Sequence, residues 1–438
     1  MLSHRSDFDP DQIFSPFDLT RRPALIAAVS GGSDSLAMLL LLQRWLERRE
    51  ATPRLIAVTI DHQLRPESRL EAETVGRICA ARGIAHRTLN WTGDKPSRGV
   101  SAAARLARYG LLSDAARSEN SDIVVTGHTA DDQAETVAMR QARGDGRGLA
   151  GMAPATLFDG QTWLVRPLLA TRRDALRRFL TQNEVAWIDD PTNLDTTYER
   201  ARMRRDLLCD PAGHRVGALL EAATRAGVAR EALGGRAAAL IEAHADRPMQ
   251  GLVRLASDFA GGGDEEGALL ALRALMAVVG GVEHLPDAGR VADMLRRLRE
   301  GAFRATLSRT VIDARKTGVF LYRERRGAPA GPALPGTIWD GRYAVLEEDS
   351  APNARVHGAP ADQEVAGPSP TLPPSIVKAA RATMPQSEGP NVRALPVLAP
   401  WRRFLPSFDV ELAQTLARLI DAANFPNPPF AGHNGEEA

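Results

Sequence analysis

Between about residues 23 and 190, short apolar runs rich in Ala, Ile, Leu and Val alternate with runs of helical length. The stretches 24–29, 54–60, 85–91 and 122–126 predict strands, and 35–49, 66–82, 100–118 and 130–142 predict helices. Strands separated by helices of this length are βαβ units, which assemble into a parallel, doubly wound α/β sheet. Such sheets bind ligands beyond the carboxyl ends of their strands. Three distinctive segments, Ser30–Ser35, Asp61–Ser68 and Gly127–Glu135, each follow a predicted strand. One shared site is therefore expected.

The first segment, Ser30-Gly31-Gly32-Ser33-Asp34-Ser35, joins a strand to a helix start. A glycine pair turns the backbone tightly, hydroxyls add donors, and the helix N-terminus offers its positive dipole end, which together suit phosphate. The common phosphate loop GxxxxGK[ST] is absent, because none of Lys95, Lys316 and Lys378 follows a glycine. A GxGxxG match at 146–151 follows a predicted helix instead of a strand, and so reads as a mobile glycine loop near the site.

Asp61-His62-Gln63-Leu64-Arg65-Pro66-Glu67-Ser68 suits adenine, ribose or phosphate, or is a plain strand-to-helix turn with Pro66 at the first helical position. Gly127-His128-Thr129-Ala130-Asp131-Asp132-Gln133-Ala134-Glu135-Thr136 is sharper. Acids in a first helical turn satisfy the dipole, but Asp131 and Glu135 at i,i+4 share a face, which suits Mg²⁺ or a cationic amine. Arg105, Arg108 and Tyr109 fall at i, i+3, i+4 on one helix, either as a site or as a solvated face. Asp189-Asp190-Pro191-Thr192-Asn193 precedes Arg200, Arg202, Arg204 and Arg205, a local anion patch for RNA phosphates or the ATP tail.

The 438 residues suffice for two or three domains. Net charge of +1 excludes a basic body, so nucleic-acid contact must come from local patches. Two distant cysteines, Cys79 and Cys209, exclude a zinc or iron–sulfur spacing and a disulfide framework. The longest apolar stretch, Leu36–Leu42, is too short for a bilayer, and a reducing cytoplasm is the expected compartment. The organisation reads as an extension over 1–21, a catalytic domain over 22–212, a helical domain over 213–325 and a Pro-rich linker with a divergent segment over 326–438. Helical periodicity covers 216–300, and 303–307 with 318–322 predict a hairpin. Thirteen of the 29 prolines fall between 329 and 400, so 350–390 reads as linker or disorder, before an amphipathic segment at 408–423.

The loop Ser30–Ser35 resembles the SGGxDS loop of the N-type ATP pyrophosphatases, which split ATP between the α- and β-phosphates to adenylate a substrate. SGGSDS, DHQLRPES, GHTADDQAET, RGDGRGLAGM, and DDPTN followed by RARMR stand in the order seen in the tRNA(Ile)-lysidine synthases. The resemblance covers about 22–210 closely and extends loosely to about 325. It implies an adenine-nucleotide-α-hydrolase-like domain, a C-terminal helical domain that binds tRNA, and a divergent, partly disordered tail. The implied reaction adenylates C2 of the wobble cytidine in a CAU-anticodon tRNA(Ile) with ATP and Mg²⁺; the ε-amine of L-lysine then displaces AMP.

Carried over by position, Ser30, Gly31, Gly32, Ser33, Asp34 and Ser35 match the ATP loop, with Asp61 and His62 beside the nucleotide. Asp34, Arg105, His128 and Asp131 are the expected catalytic groups, with Asp131 the candidate base for the amine. Asp34 and Asp132 are expected at the metal, and Asp131, Glu135, Arg200 and Arg204 at the substrates. Ala201 departs from the asparagine usual in the family's RNxIR-like segment. The resemblance leaves the oligomeric state open, a homodimer included. The alternatives are a tRNA thiolase or other adenylating enzyme of the superfamily, a glutamine-dependent ligase, or a non-catalytic RNA- or nucleotide-binding protein. The thiolase and the glutamine-dependent ligase lack their cysteines here, and the binding protein would hold ATP without releasing pyrophosphate.

Overall fold

The computed structural model describes residues 8–50, 52–63, 67–144, 146–189, 197–210, 213–329, 331–347, 355–358, 372–388 and 392–430. Leu64, Arg65 and Pro66, and Asp190 to Asn193, singled out above, lie outside the described residues, as does much of 350–390. The chain divides into two compact units, residues 1–230 with 406–408 and 427–438, and residues 231–405 with 409–426.

The first unit begins with α1 (Pro10–Phe14), then alternates β1 (Ala24–Ala28), α2 (Ser33–Leu46), β2 (Arg54–Asp61), α3 (Ser68–Ala80), β3 (Ala85–Asn90), α4 (Val100–Ser118), β4 (Ile123–Thr126) and α5 (Ala130–Ala142). It continues through β5 (Ala155–Phe158), β6 (Thr162–Val165), α6 (Arg173–Gln182), α7 (Glu199–Leu208) and the start of α8 (His214–His244). The strand order is β5-β6-β4-β1-β2-β3, parallel except for the β5–β6 pair. Every residue of β1 and β4 is buried, which explains why these strands read as continuous apolar runs. The order reverses between β1 and β4, the place where a doubly wound sheet opens a crevice. The loops after β1 and β4 both enter it.

The second unit departs from the helical reading of 216–300. An antiparallel pair, β7 (Ala245–Met249) and β8 (Leu252–Leu255), interrupts it, turned at Gln250-Gly251. Pro248 and the charges of β7 hide the strand from a periodicity count, but they are typical of the sheet edge that β7 forms. After α9 (Glu265–Gly280) and α10 (Ala288–Glu300), the expected two-stranded hairpin is a three-stranded meander. β9 (Phe303–Leu307) pairs with β10 (Thr310–Arg315), which separates it from β11 (Gly318–Arg323). The β9–β10 turn is Ser308-Arg309, both at positive φ (49° and 64°), so a two-residue hairpin turn forms without the Asn-Gly that would announce it.

The remaining strands are β12 (Ile338–Trp339), β13 (Tyr343–Glu347), β14 (Arg355–Gly358), β15 (Pro385–Glu388), β16 (Val392–Pro396) and β17 (Phe404–Pro406), with helices α11 (Pro374–Arg381) and α12 (Val410–Ile420). Within the Pro-rich stretch, α11 is a packed element. It lays Ile376, Val377 and Ala380 against Leu252, Val311, Phe320 and Tyr322. Pro373 and Pro374 sit at its cap and first position, where a missing N–H costs nothing.

Candidate active site

The loop after β1 turns at Gly31, whose φ of +88° suits glycine. The Ser35 hydroxyl accepts the Ser30 N–H at 3.1 Å and donates to the Gly32 carbonyl at 3.0 Å, which fixes the loop. Gly32 caps α2, so the unpaired N–H groups of the first turn stand ready for an anion. The loop after β4 is packed onto this turn. A Cβ on Gly127 would lie 2.9 Å from Asp34 O, Ser35 N and Ser35 Cα, all backbone atoms that cannot give way cheaply. Gly127→Ala is therefore expected to push the two loops apart. Overpacking of this kind costs about 2 kcal/mol, which lowers Tm by about 5 °C in a unit of this size. ATP affinity measured by calorimetry should fall with it.

Thr129 and Asp132 form a capping box that starts α5: Asp132 Oδ2 accepts from the Thr129 N–H and Oγ1, both at 2.9 Å. The other oxygen, Oδ1, accepts from Arg173 Nη2 at 3.0 Å and Arg200 Nη2 at 2.9 Å. Asp34 accepts from Arg173 Nε at 2.8 Å and Ser33 Oγ at 3.0 Å. Glu135, only 1 % exposed, accepts from Arg200 Nε at 2.7 Å and Arg204 Nε at 2.6 Å. Asp131 accepts the Arg173 backbone N–H at 2.7 Å and is paired with Arg172 at 3.1 Å. Burial pushes the Asp132 carboxyl up, but Arg173 and Arg200 outweigh it and pull it down to about 2. Burial wins at Asp34, which is raised above the usual carboxylate value against the pull of Arg173. Burial works against the charge of Arg173, but Asp132 and Asp34 prevail and raise it.

The cleft wall also carries Arg105 and Arg108, with Arg166 buried on the Ala153 and Leu164 carbonyls. None of the three has a carboxylate partner among the described residues, and Arg105 lies over the Tyr109 ring at 5.0 Å. Burial, and then Arg166, Arg108 and Arg105, hold the His128 imidazole well below its usual range despite Asp132. Thr126 Oγ1 donates to the Val165 carbonyl at 3.0 Å, so it must accept from His128 Nδ1–H at 2.9 Å. The neutral ring then presents Nε2 as an acceptor.

One cleft of about 1040 Å³ is lined by Ser30, Gly32, Ser33, Asp34 and Ser35, by Arg105 and His128, and by Asp131, Asp132, Glu135, Arg200 and Arg204. A neighbouring cavity of about 390 Å³ shares Ser30, Gly32 and Arg108 with it and adds Val58, Ile60 and His62. The buried Nδ1 of His62 has no hydrogen-bond partner among the described residues, and burial, followed by Arg108, lowers its pKa. Gly31 and Asp61 line neither cavity; Asp61 Oδ1 instead accepts from the Gln63 N–H at 2.8 Å and Ser68 Oγ at 2.6 Å.

Residues 5–210 match the PP-loop domain family. Over 98 % of its length the chain is 48 % identical to the whole of a tRNA(Ile)-lysidine synthase from Mesorhizobium japonicum. The chain belongs to the tRNA(Ile)-lysidine synthase family. It is also 43 % identical to the enzyme of that name from Brucella melitensis biotype 2, over 77 % of each chain. Among solved structures it is similar to the U34-tRNA thiolase NcsA from Methanococcus maripaludis, at 18 % identity and a TM-score of 0.43, over 49 % of this chain and 77 % of that one.

Within this family member the arginines of α7 divide. Arg200 and Arg204 point with Leu207 toward α5, whose Ala134, Val137 and Ala138 pack on Leu207. Arg202 and Arg205 line a separate outer depression. Sequence reasoning missed Arg172, Arg173 and Arg177. The signal was present: Arg172 caps α6 and Arg173 opens it, where the helix dipole favours acids. Two cations at that place are held there by something else, here Asp34, Asp131 and Asp132.

Proposed function

We propose that this chain forms lysidine on tRNA(Ile) in an ATP-dependent ligation, joining the ε-amine of L-lysine to C2 of the wobble cytidine. The observation that carries this reading is the end-to-end 48 % identity to a lysidine synthase, on a chain whose loop after β1 opens the sheet's crevice.

In the first step the C2 oxygen attacks the α-phosphorus and pyrophosphate leaves. The Ser30–Ser35 loop and the N-terminus of α2 hold the departing phosphates, and Arg105, Arg108 and His128 face the reacting phosphate. In the second step the lysine amine attacks C2, the C2–O bond breaks, AMP leaves with the oxygen, and the amine loses a proton. Among the described residues no group of three or more His, Cys, Asp or Glu is arranged around a metal. Two facing carboxylates, Asp34 and Asp132, nevertheless fit Mg²⁺, which takes one or two carboxylates and completes its shell with phosphate and water. When bound, it supplies charge for the developing pyrophosphate.

Asp131, held by Arg172, is proposed as the base for the amine. Purified protein, the tRNA(Ile) transcript, ATP and labelled lysine should yield labelled lysidine on nucleoside analysis; ATP binding without pyrophosphate release would refute the reading. No helix among the described residues is long and apolar enough to cross a membrane.

The pH dependence follows from the signs of the shifts. His128 is held well below its usual range and His62 is lowered by burial, so a limb from either falls on the acid side of pH 6.5. Free lysine's amine titrates near pH ~10.4, so the lysine step should speed up steadily as pH rises from 6.5 to 9. A clear inflection near pH 6.5 in single-turnover kinetics would place a histidine in control.

A further inference from the structure

Among the described residues, Arg173 is the side chain that reaches three of the acids lining the cleft, Asp34, Asp132 and Glu135. Its Nε donates to Asp34 Oδ2 at 2.8 Å, its Nη2 to Asp132 Oδ1 at 3.0 Å, and its Nη1 lies 3.7 Å from Glu135 Oε1. The guanidinium thus occupies the space between the two carboxylates that face each other across the cleft. Glu135 keeps Arg200 and Arg204, and Asp132 keeps Arg200, so Asp34 is the carboxylate whose ion pairing among the described residues rests on Arg173. At the same time α6 sets Arg173 beside the phosphate-binding turn, since Asp34 is the second residue of α2 and Arg177, one turn further along α6, reaches Ser33 Oγ at 3.4 Å.

We propose that Arg173 is a cation built into the chain that fills the Asp34–Asp132 position in the nucleotide-free enzyme. It yields that position to an incoming cation, Mg²⁺ or the substrate ammonium, by transferring its guanidinium to the ATP phosphates. The inference rests on the proposed ATP-dependent function. Charge balance drives the exchange. With Arg173 in place, Asp34, Asp132 and Glu135 are matched one for one by Arg173, Arg200 and Arg204, and an added cation meets no net attraction. The phosphate tail offers Arg173 a bidentate anionic partner, and the departure of Arg173 leaves Asp34 without a cation and Asp132 with Arg200 and Arg204 alone, so the position turns net negative for the incoming cation. Nucleotide and cation then favour each other's binding, as a coupling between sites requires.

The test uses Arg173→Met in the full-length, nucleotide-free protein. Mn²⁺ binding followed by electron paramagnetic resonance, and labelled-lysine binding by equilibrium dialysis, are the two cation arms. At least one should tighten about tenfold, a typical size for coupled sites, and the arm that does so identifies the cation. ATP affinity measured in EDTA should weaken about tenfold, the usual loss for a hydrogen-bonded charged pair. A merely structural ion pair would not move the two readouts in opposite directions. Unchanged cation binding in both arms, or unchanged metal-free ATP affinity, overturns the proposal.

Arg173→Lys keeps a charge and is expected to show clearly smaller changes of both kinds; changes equal to those of the methionine variant would rule out charge as the cause. If the methionine variant does not fold, Arg173→Gln takes its place with the same two readouts. These binding measurements need no tRNA, so a wild-type protein that binds as described but makes no lysidine would sink the functional reading alone.

Discussion

Glu135→Gln should destabilise the first unit and depress both half-reactions together. The substitution keeps shape and removes one charge from a carboxylate that is almost wholly buried and accepts from Arg200 and Arg204. The amide then turns an N–H₂ donor toward guanidinium donors, and two arginines lose their shared counter-ion. Breaking a buried ion pair from one side costs roughly 3–5 kcal/mol, and the partial exposure of both arginines reduces this to about 2–3 kcal/mol. That corresponds to a Tm loss of about 5–10 °C by calorimetry. The spacing of Asp131 and Glu135 suggests that both grip one ammonium, in which case pyrophosphate release would survive and only lysine incorporation would fail. Their partners differ: Asp131 is held by Arg172 and the start of α6, and Glu135 by α7, so the two carboxylates do not share one cation here. We therefore propose that Glu135 acts as a positioning residue for Arg200 and Arg204. Preserved pyrophosphate release with lost lysine incorporation would return it to the lysine site.

This contrast shows which features a linear sequence displays. The β1 run, the glycine turn and the apolar face of α2 are local, and each was legible because neighbouring residues carry the whole signal. So was the α5 start, where Thr129 and Asp132 stand three apart as a capping box demands. The i,i+4 spacing of Arg200 and Arg204 placed them on one face, but not which face. What decides that is the apolar seam through Leu207 and Val137, formed by segments about 70 residues apart. Arg173 meets Asp34 across 139 residues, and no periodicity records such a contact. β10 was lost for another reason. Its turn, Ser308-Arg309, takes positive φ with residues that give no warning of it, and the pairing with β9 and β11 supplies the compensation. Strand pairing overrode local turn chemistry there, as packing against β8 and β11 overrode the linker-like composition around α11.

Asp34→Asn is expected to produce the largest catalytic loss in the molecule, lowering tRNA-dependent pyrophosphate release about a thousandfold. Three features of the side chain support so large an effect. It belongs to the second residue of α2, so its carboxylate stands at the mouth of the phosphate-binding turn. It is mostly shielded from water, which strengthens its field on whatever charge lies beside it. Burial also raises its pKa while Asp132, across Arg173, is pulled down to about 2. Two carboxylates in one cleft with oppositely shifted values mark a division of labour. We assign Asp132 as the anchor for Arg200 and the α5 cap, and Asp34 as the member whose charge responds to its ligands. Removing a group that stabilises developing charge in a water-poor site costs about 3–4 kcal/mol, or two to three powers of ten in rate. The asparagine is nearly isosteric: its carbonyl can still accept from Arg173 Nε, and its amide N–H can donate to Ser33 Oγ in place of the bond that Asp34 Oδ1 accepts, so the melting temperature should move little. tRNA affinity by filter binding should change little, because the substitution alters one side chain at the phosphate-binding turn and leaves Arg200 and Arg204 in place. The sign of the pH effect gives a second check. A raised carboxyl pKa means that the wild-type rate falls on acidification while ordinary carboxylates are still ionised, and the asparagine variant should lack that limb. If it turns over at near wild-type rates, Asp34 is a partner for Arg173 and nothing more, and the metal and pyrophosphate must be held by Asp132 and the loop backbone.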